Sequence, residues 1–154
     1  MANRNERTFI MVKPDGVQRA LISVVMCRFE NRGLKLIAAK LVAPKQDHFE
    51  HHYADHKGKA FFNGLVRFML SGPVFAMVWQ GTNAVKVGRS LVGETNPVNS
   101  LPGTIRGDYC LEMGRNVIHA SDTVENAEKE ISLWFNTNEL LTYTRADEKF
   151  VYEV

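Results

Sequence analysis

The chain has 154 residues, of which 45% are hydrophobic and 23% charged, and 19 basic residues against 17 acidic ones leave a formal net charge of +2. A chain of this length buries roughly 70% of the surface its unfolded form exposes, enough for a core that needs no disulfide or structural metal. The even charge balance excludes nonspecific attraction to nucleic acid or to an anionic membrane, so any bound phosphate must be met by a local cluster of cations.

No apolar run approaches the length of about 18 residues that a membrane helix needs. Met1 to Glu6 is polar with no apolar segment behind it, so no signal peptide is expected. The spacing of Cys27 and Cys110 requires no bridge, and Cys27, in an apolar helical stretch, reads as a small core residue. A reducing, cytoplasmic setting is the expectation. With no linker, repeat or low-complexity tract, residues 1–154 read as a single domain.

Arg7 to Val12 is a short β-leaning run, stopped by the turn signal Lys13-Pro14-Asp15-Gly16. A helix then runs to about Arg32, with Leu21, Ile22, Val25 and Phe29 on one face and Gly33 set to end it. Leu34 to Val42 alternates as a strand. Pro44 opens a helix reaching about His56, and Ala60 to Leu70 forms another, ended by Ser71-Gly72-Pro73. Val74 to Gln80 is the clearest buried strand, and Asn83 to Val92 is a helix with Thr82 near its start. Gly93 to Arg115, punctuated by Pro97, Pro102, Gly103, Gly107 and Gly114, reads as a long loop of the kind that is usually functional or disordered. Asn116 to His119 is a short strand. Ser121-Asp122, with Glu125 as a capping box, starts a last helix whose inward stripe is Val124, Ala127, Ile131, Trp134 and Phe135. This order suits an α+β fold: a four-stranded sheet covered by helices, the split βαβ arrangement included.

Asn116-Val117-Ile118-His119-Ala120-Ser121-Asp122 puts an imidazole at the end of an apolar strand, just ahead of a helix start. A helix N-terminus offers unpaired N–H groups and a partial positive charge, both suited to a phosphate. Imidazole is nucleophilic near neutral pH because much of it is unprotonated. Attack by one ring nitrogen needs the proton on the other, and Glu130, two turns into the next helix, is the nearest carboxylate to hold it there. Taken alone, these residues fit a structural histidine at a strand end more readily than a nucleophile. The cations around the loop reverse that balance. Arg89 precedes it, Thr95 and Arg106 lie within it, and Lys13 sits in the first turn. Arginine suits bidentate phosphate contacts and lysine acts as a point charge. The segment 103–108 lacks the Gly-Lys-Ser/Thr of a Walker A loop, and no protein-kinase His-Arg-Asp or Asp-Phe-Gly is present, so phosphoryl transfer here needs another scaffold.

The segments Lys13-Pro14-Asp15-Gly16-Val17-Gln18-Arg19, Asn96-Pro97, Pro102 to Asp108, Gly114 to His119 and Glu125 to Ile131 resemble the nucleoside diphosphate kinase family. The resemblance runs from about Arg7 to the Val151-Tyr152-Glu153 tail. It implies a ferredoxin-like sandwich with an antiparallel four-stranded sheet. It also implies ping-pong transfer of a γ-phosphate from a nucleoside triphosphate, typically ATP, to a nucleoside diphosphate. The family's nucleophile maps onto His119, its orienting carboxylate onto Glu130 and its nearby hydroxyl onto Ser121. Lys13, Tyr53, Arg89, Thr95 and Arg106 match positions that contact phosphates. Asn116 and Lys13 match contacts to the ribose. Phe61 matches the aromatic under the base, with Leu65 nearby and Met113 on the base's other side. Stacking on a face that every base has implies broad nucleotide acceptance. Mg2+ is implied as a cofactor arriving with the nucleotide, held by phosphate oxygens and water rather than by protein ligands. The tail ending in Val154 resembles the eukaryotic form, which implies a homohexamer.

Several positions depart from the family pattern. Ala120 stands where Gly is usual and Thr123 where a smaller residue is usual. Lys59-Ala60 replaces Arg-Pro, and Ala20 and Ser23-Val24 replace Gly and Gly-Glu. No matched catalytic position is changed, so an active enzyme with altered rate or stability is expected. Three rivals stand beside this reading. His48, His52 and His56, spaced by four on one predicted helix, could hold a transition metal, although an exposed helix with incidental histidines is the simpler account. A nucleic-acid-binding role lacks the charge for it, because Trp79, Trp134 and the phenylalanines mostly read as core. A catalytically dead scaffold is opposed by the intact His119, Glu130, Arg89, Arg106 and Lys13.

Overall fold

The computed structural model describes residues 2–153, so Met1 and the Val154 end of the tail lie outside the described residues. Its sheet has four strands in the order β2-β3-β1-β4, every neighbouring pair antiparallel. The strands are β1 (Arg7–Val12), β2 (Lys35–Val42), β3 (Val74–Gln80) and β4 (Ile118–Ala120). This is the expected ferredoxin-like α+β arrangement. β1 and β3 occupy the centre, which explains why RTFIMV and VFAMVWQ are apolar on both faces.

Strand alternation divides the core in two. One face carries Phe9, Met11, Ala76 and Val78. It packs on α3 (Gln46–His52), α4 (Phe62–Met69) and α7 (Val124–Trp134) through Phe49, Val66, Ile131 and Trp134. The opposite face carries Ile10, Val12, Met77 and Trp79. It packs on α2 (Ile22–Asn31), α5 (Ala84–Val92) and α6 (Ile105–Tyr109) through Val25, Phe29, Ala84, Val92 and Ile105.

Several expected elements change on folding. The helix expected to reach Arg32 breaks into α1 (Pro14–Gln18) and α2, because Ala20 sits at φ +58° in the left-handed region. Gly33, at φ +100°, ends α2 as expected. The helix expected from Pro44 to His56 spans only α3, and a 3-10 turn over Ala54–His56 follows it. α5 starts from Asn83 at φ +55°, and the Val85 N–H donates to Glu6 Oε2 at 3.0 Å, so its cap comes from a distant residue rather than Thr82. The segment expected as a loop contains α6, capped by Thr104, whose hydroxyl accepts from the Gly107 N–H at 3.0 Å. Thr123, not Ser121 or Asp122, caps α7, accepting from the Asn126 N–H at 3.0 Å. Val124 is exposed rather than part of the inward stripe, and Phe135, buried, lies just past the helix end. α8 (Glu148–Val151) closes the chain, with Phe150 exposed. Cys27 is exposed rather than core, Cys110 is buried, and both are free thiols among the described residues.

Candidate active site

His119 lies in β4 opposite Met11 of β1, while its neighbours Ile118 and Ala120 point into the other core. Strand alternation therefore turns the imidazole toward α3 and α7, with its ring 5.9 Å from that of Phe9. Its Nε2 is bonded to Glu130 Oε2 on α7. The other carboxylate oxygen, Oε1, accepts from the Ser121 hydroxyl at 2.7 Å, and Ser121 Oγ in turn accepts from the Phe9 N–H at 3.3 Å. The serine expected to cap α7 instead holds the carboxylate. A ring nitrogen bonded to a carboxylate carries the proton, so the lone pair lies on Nδ1. The His119 side chain keeps 23% of its surface exposed, which leaves that nitrogen open to a substrate.

Val117, two residues upstream, is at φ +71°, a left-handed conformation unfavourable to a β-branched residue. The Ile118 N–H donates to Asn116 O at 2.8 Å across it, forming a three-residue turn. Two contacts from the far end of the chain hold this strain. The Lys13 N–H donates to Val117 O at 2.8 Å, and the Val117 N–H donates to Asp15 Oδ2 at 3.1 Å. Gly16 lets α1 approach this turn. A Cβ there would stand 2.6 Å from Val12 Cγ1 and 2.9 Å from Val117 Cγ1, so Gly16 serves close packing rather than positive φ.

The turn sets Asn116 among the cations. Lys13 Nζ donates to Asn116 Oδ1 at 2.8 Å, and Asn116 Nδ2 donates to Thr95 O at 2.9 Å. Thr95 thus joins by its backbone, with its side chain exposed. Arg106 is 3% exposed and gives its donors to main-chain carbonyls: Ile118 O at 2.6 Å, Asn116 O and Glu94 O at 3.3 Å, and Gly93 O at 3.4 Å. It therefore ties both ends of the 93–118 segment together, a role its sequence position does not reveal. Arg89 reaches Ala120 O at 3.4 Å. Burial pushes the Lys13 ammonium down to about 8, with repulsion from Arg106 adding to it. Burial, then Arg89, brings the Arg106 guanidinium down to about 10. Cations held away from water lack a hydration shell and gain more from an anion than solvated ones do.

The opposite wall is aromatic. Tyr53 is buried, 6.5 Å ring to ring from His119, with a hydroxyl that has no partner among the described residues. Burial raises its pKa far above that of a free phenol. His56 stacks on Tyr53 at 6.2 Å and meets Phe61 edge-on at 5.3 Å, so Phe61, 53% exposed, continues the wall outward. Lys59 Nζ lies 3.2 Å from His56 Nδ1 and 5.7 Å from the Phe61 ring centre, so the departure at that position still serves the wall. Leu65 is half-buried against the α3–α4 core, and Met113 is exposed in the 3-10 turn Met113–Arg115.

The helical histidine triad does not form a metal face. His56 lies off α3, while His48 meets Trp134 edge-on at 4.3 Å. His52 turns inward and joins His119 and Glu130 instead. His52 and Asp15 join the phosphate site although the sequence offers His52 only as a metal-ligand candidate and Asp15 only as part of a turn motif. Spacing along the chain groups His52 with His48 and His56 and not with Glu130. The sole signal for Asp15 was its place inside the Lys13-Pro14-Asp15-Gly16 motif.

The profile of the family "Nucleoside diphosphate kinase" matches residues 6–140. A nucleoside diphosphate kinase of Aspergillus fumigatus is 59% identical over 97% of both chains. One of Drosophila melanogaster is 58% identical over 99% of this chain and all of its own. Among solved structures, a family protein from Babesia bovis superposes with a TM-score of 0.93 at 51% identity, covering 96% of this chain and 99% of that one. A Halobacterium salinarum nucleoside diphosphate kinase in complex with CDP superposes at 0.94 and 48% identity, covering 97% and 99%. With its sheet order, its His119–Glu130 pair and near-complete coverage on both sides, the chain belongs to the nucleoside diphosphate kinase family.

Proposed function

We propose that the protein transfers the γ-phosphate of a nucleoside triphosphate to a nucleoside diphosphate by way of phosphorylated His119. The single observation that carries this reading is the bond from His119 Nε2 to Glu130, which leaves Nδ1 as the free nucleophilic atom. The Nδ1 lone pair attacks the γ-phosphorus, the bond to the β–γ bridging oxygen breaks, and that oxygen leaves with the electron pair on the nucleoside diphosphate. The ring keeps its Nε2 proton and becomes cationic, and the Glu130 carboxylate stabilises that charge. The reverse sequence, with a different diphosphate, completes the cycle. Lys13, Arg89 and Arg106 stabilise the charge on the transferring group, and Tyr53, Thr95 and Asn116 complete the phosphate and ribose contacts. Phe61, with Leu65 and Met113, receives the base.

The cationic lining of Lys13, Arg89 and Arg106 does not fit a resident divalent ion. Mg2+ is therefore read as part of the substrate, where it neutralises phosphate charge. We also read the protein as a homohexamer that works in a reducing, cytoplasmic setting as one domain. Val98, Leu101 and Leu111 are apolar and strongly exposed on the 97–111 stretch, as a subunit interface requires. Light scattering of the purified protein tests the assembly, and a monomer would refute it.

The function is tested by incubating the protein with γ-labelled ATP. The expected result is an acid-labile phosphoprotein that discharges onto added diphosphate, with none from His119→Ala. Label retained by that variant would sink the assignment.

A further inference from the structure

Three metal-capable atoms converge beneath the nucleophile: His52, His119 and Glu130 each offer one within 4.8 Å of the others. Such a trio fits either a divalent transition-metal site or a hydrogen-bonded support for the carboxylate. Trp134 decides between them. Its Nε1–H donates to His52 Nδ1 at 3.0 Å, and an indole nitrogen can only donate. His52 Nδ1 therefore presents its lone pair to the indole. A neutral imidazole has one N–H, so that proton sits on Nε2, the atom facing Glu130. A metal needs a lone pair on the facing atom, and His52 has none there.

His52 is a donor instead. Its side chain is fully buried, and Nε2 stands 3.5 Å from Glu130 Oε2. No hydrogen bond is formed across that separation, and Nε2 has no other partner among the described residues. A buried N–H without a partner among the described residues thus stands 3.5 Å from the carboxylate oxygen. Burial keeps the ring uncharged, holding its pKa well below that of a free histidine, with the neighbouring His119 and His48 adding to the effect. Neutrality matters because the His119 ring turns cationic as its Nδ1 bonds phosphorus. A second cation beside it would oppose that step, whereas a neutral N–H steadies the carboxylate without opposing it.

We propose that His52 is a positioning residue for Glu130: Trp134 fixes its tautomer, and its Nε2–H closes onto Oε2 as His119 takes the phosphoryl group. The proposal rests on the reading of His119 as nucleophile. Long-range 1H–15N NMR of the wild-type protein should show His52 with a bare Nδ1 and a protonated Nε2, and the opposite tautomer overturns the proposal. In rapid-quench measurements His52→Ala should slow phosphohistidine formation by about tenfold with nucleotide KM unchanged. His52→Gln, whose amide N–H can reach the same oxygen, should recover much of that loss. A folded His52→Ala protein that reacts at the wild-type rate overturns the proposal, and so does an equal loss in the Gln variant, which would mark a packing role. Stoichiometric zinc binding by the wild type, lost in His52→Ala, would also overturn it. Phosphorylation of His119→Ala instead reports failure of the nucleophile assignment, so the two failures are distinct.

Discussion

Lys13 should set an alkaline limit on nucleotide binding. Its folded pKa, pushed down to about 8 by burial and by Arg106, makes it a cation below that pH and neutral above it. Affinity of the free enzyme for ADP should therefore fall as pH rises from 7 to 9. Calorimetric titration of the wild type and of Lys13→Met checks this, because the variant should bind weakly at pH 7 and lose that pH dependence. The stability effect has the opposite sign. The unfolded chain, with its lysine near 10.5, binds more protons between pH 8 and 10.5, so this group's contribution makes stability rise across that window. At this scale the sequence was partly legible. Histidine, glutamate and clustered cations announce phosphate chemistry by type, so His119, Glu130, Lys13, Arg89 and Arg106 stood out. Asp15 and His52 did not, because their parts depend on partners far along the chain: 102 residues separate Asp15 from Val117, and 82 separate His52 from Trp134. Arg106 was legible as a cation but not as a clamp on four carbonyls.

The break between α1 and α2 carries strain at Ala20. A left-handed alanine costs on the order of 1–2 kcal/mol, which glycine avoids. Ala20→Gly should therefore stabilise the fold by about 1 kcal/mol and raise Tm by roughly 2–4 °C in calorimetry. Gly16→Ala should do the reverse, destabilising by about 1–3 kcal/mol through contact with Val12 and Val117. Because it would push on the turn that presents His119, it should also lower the rate of phosphohistidine formation in a quench experiment. The departures at Ala120 and Thr123 are absorbed without such strain: Ala120 pairs with Ile10 inside the sheet, and Thr123 caps α7. Element types were readable wherever periodicity ran long, as in β1, β3 and α7. α6 was not, because five residues held by Thr104, Asp108 and Arg28 carry no periodic signal. The Gly103 N–H donates to Asp108 Oδ1 at 2.8 Å, and Arg28 bonds both Gly103 O and Asp108.

At the scale of the whole molecule, two cores share one thin sheet, and the site sits where β4 and α7 meet at its edge. Ile131, one position after Glu130 and buried, anchors α7 to the core on the active-site face. Ile131→Ala should cost about 3 kcal/mol and lower Tm by roughly 6–12 °C, while the folded fraction still forms phosphohistidine at 25 °C. The sequence by itself determined most of that core, the order of the four strands and the family, because apolar periodicity and long ordered motifs are local properties of the chain. Only the tertiary structure decided which ring nitrogen of His119 is free, why Val117 holds a strained turn, and that His52 faces Glu130 rather than a metal. Each of those depends on atoms brought within a few ångströms by folding, and distance in space is not written in distance along the chain.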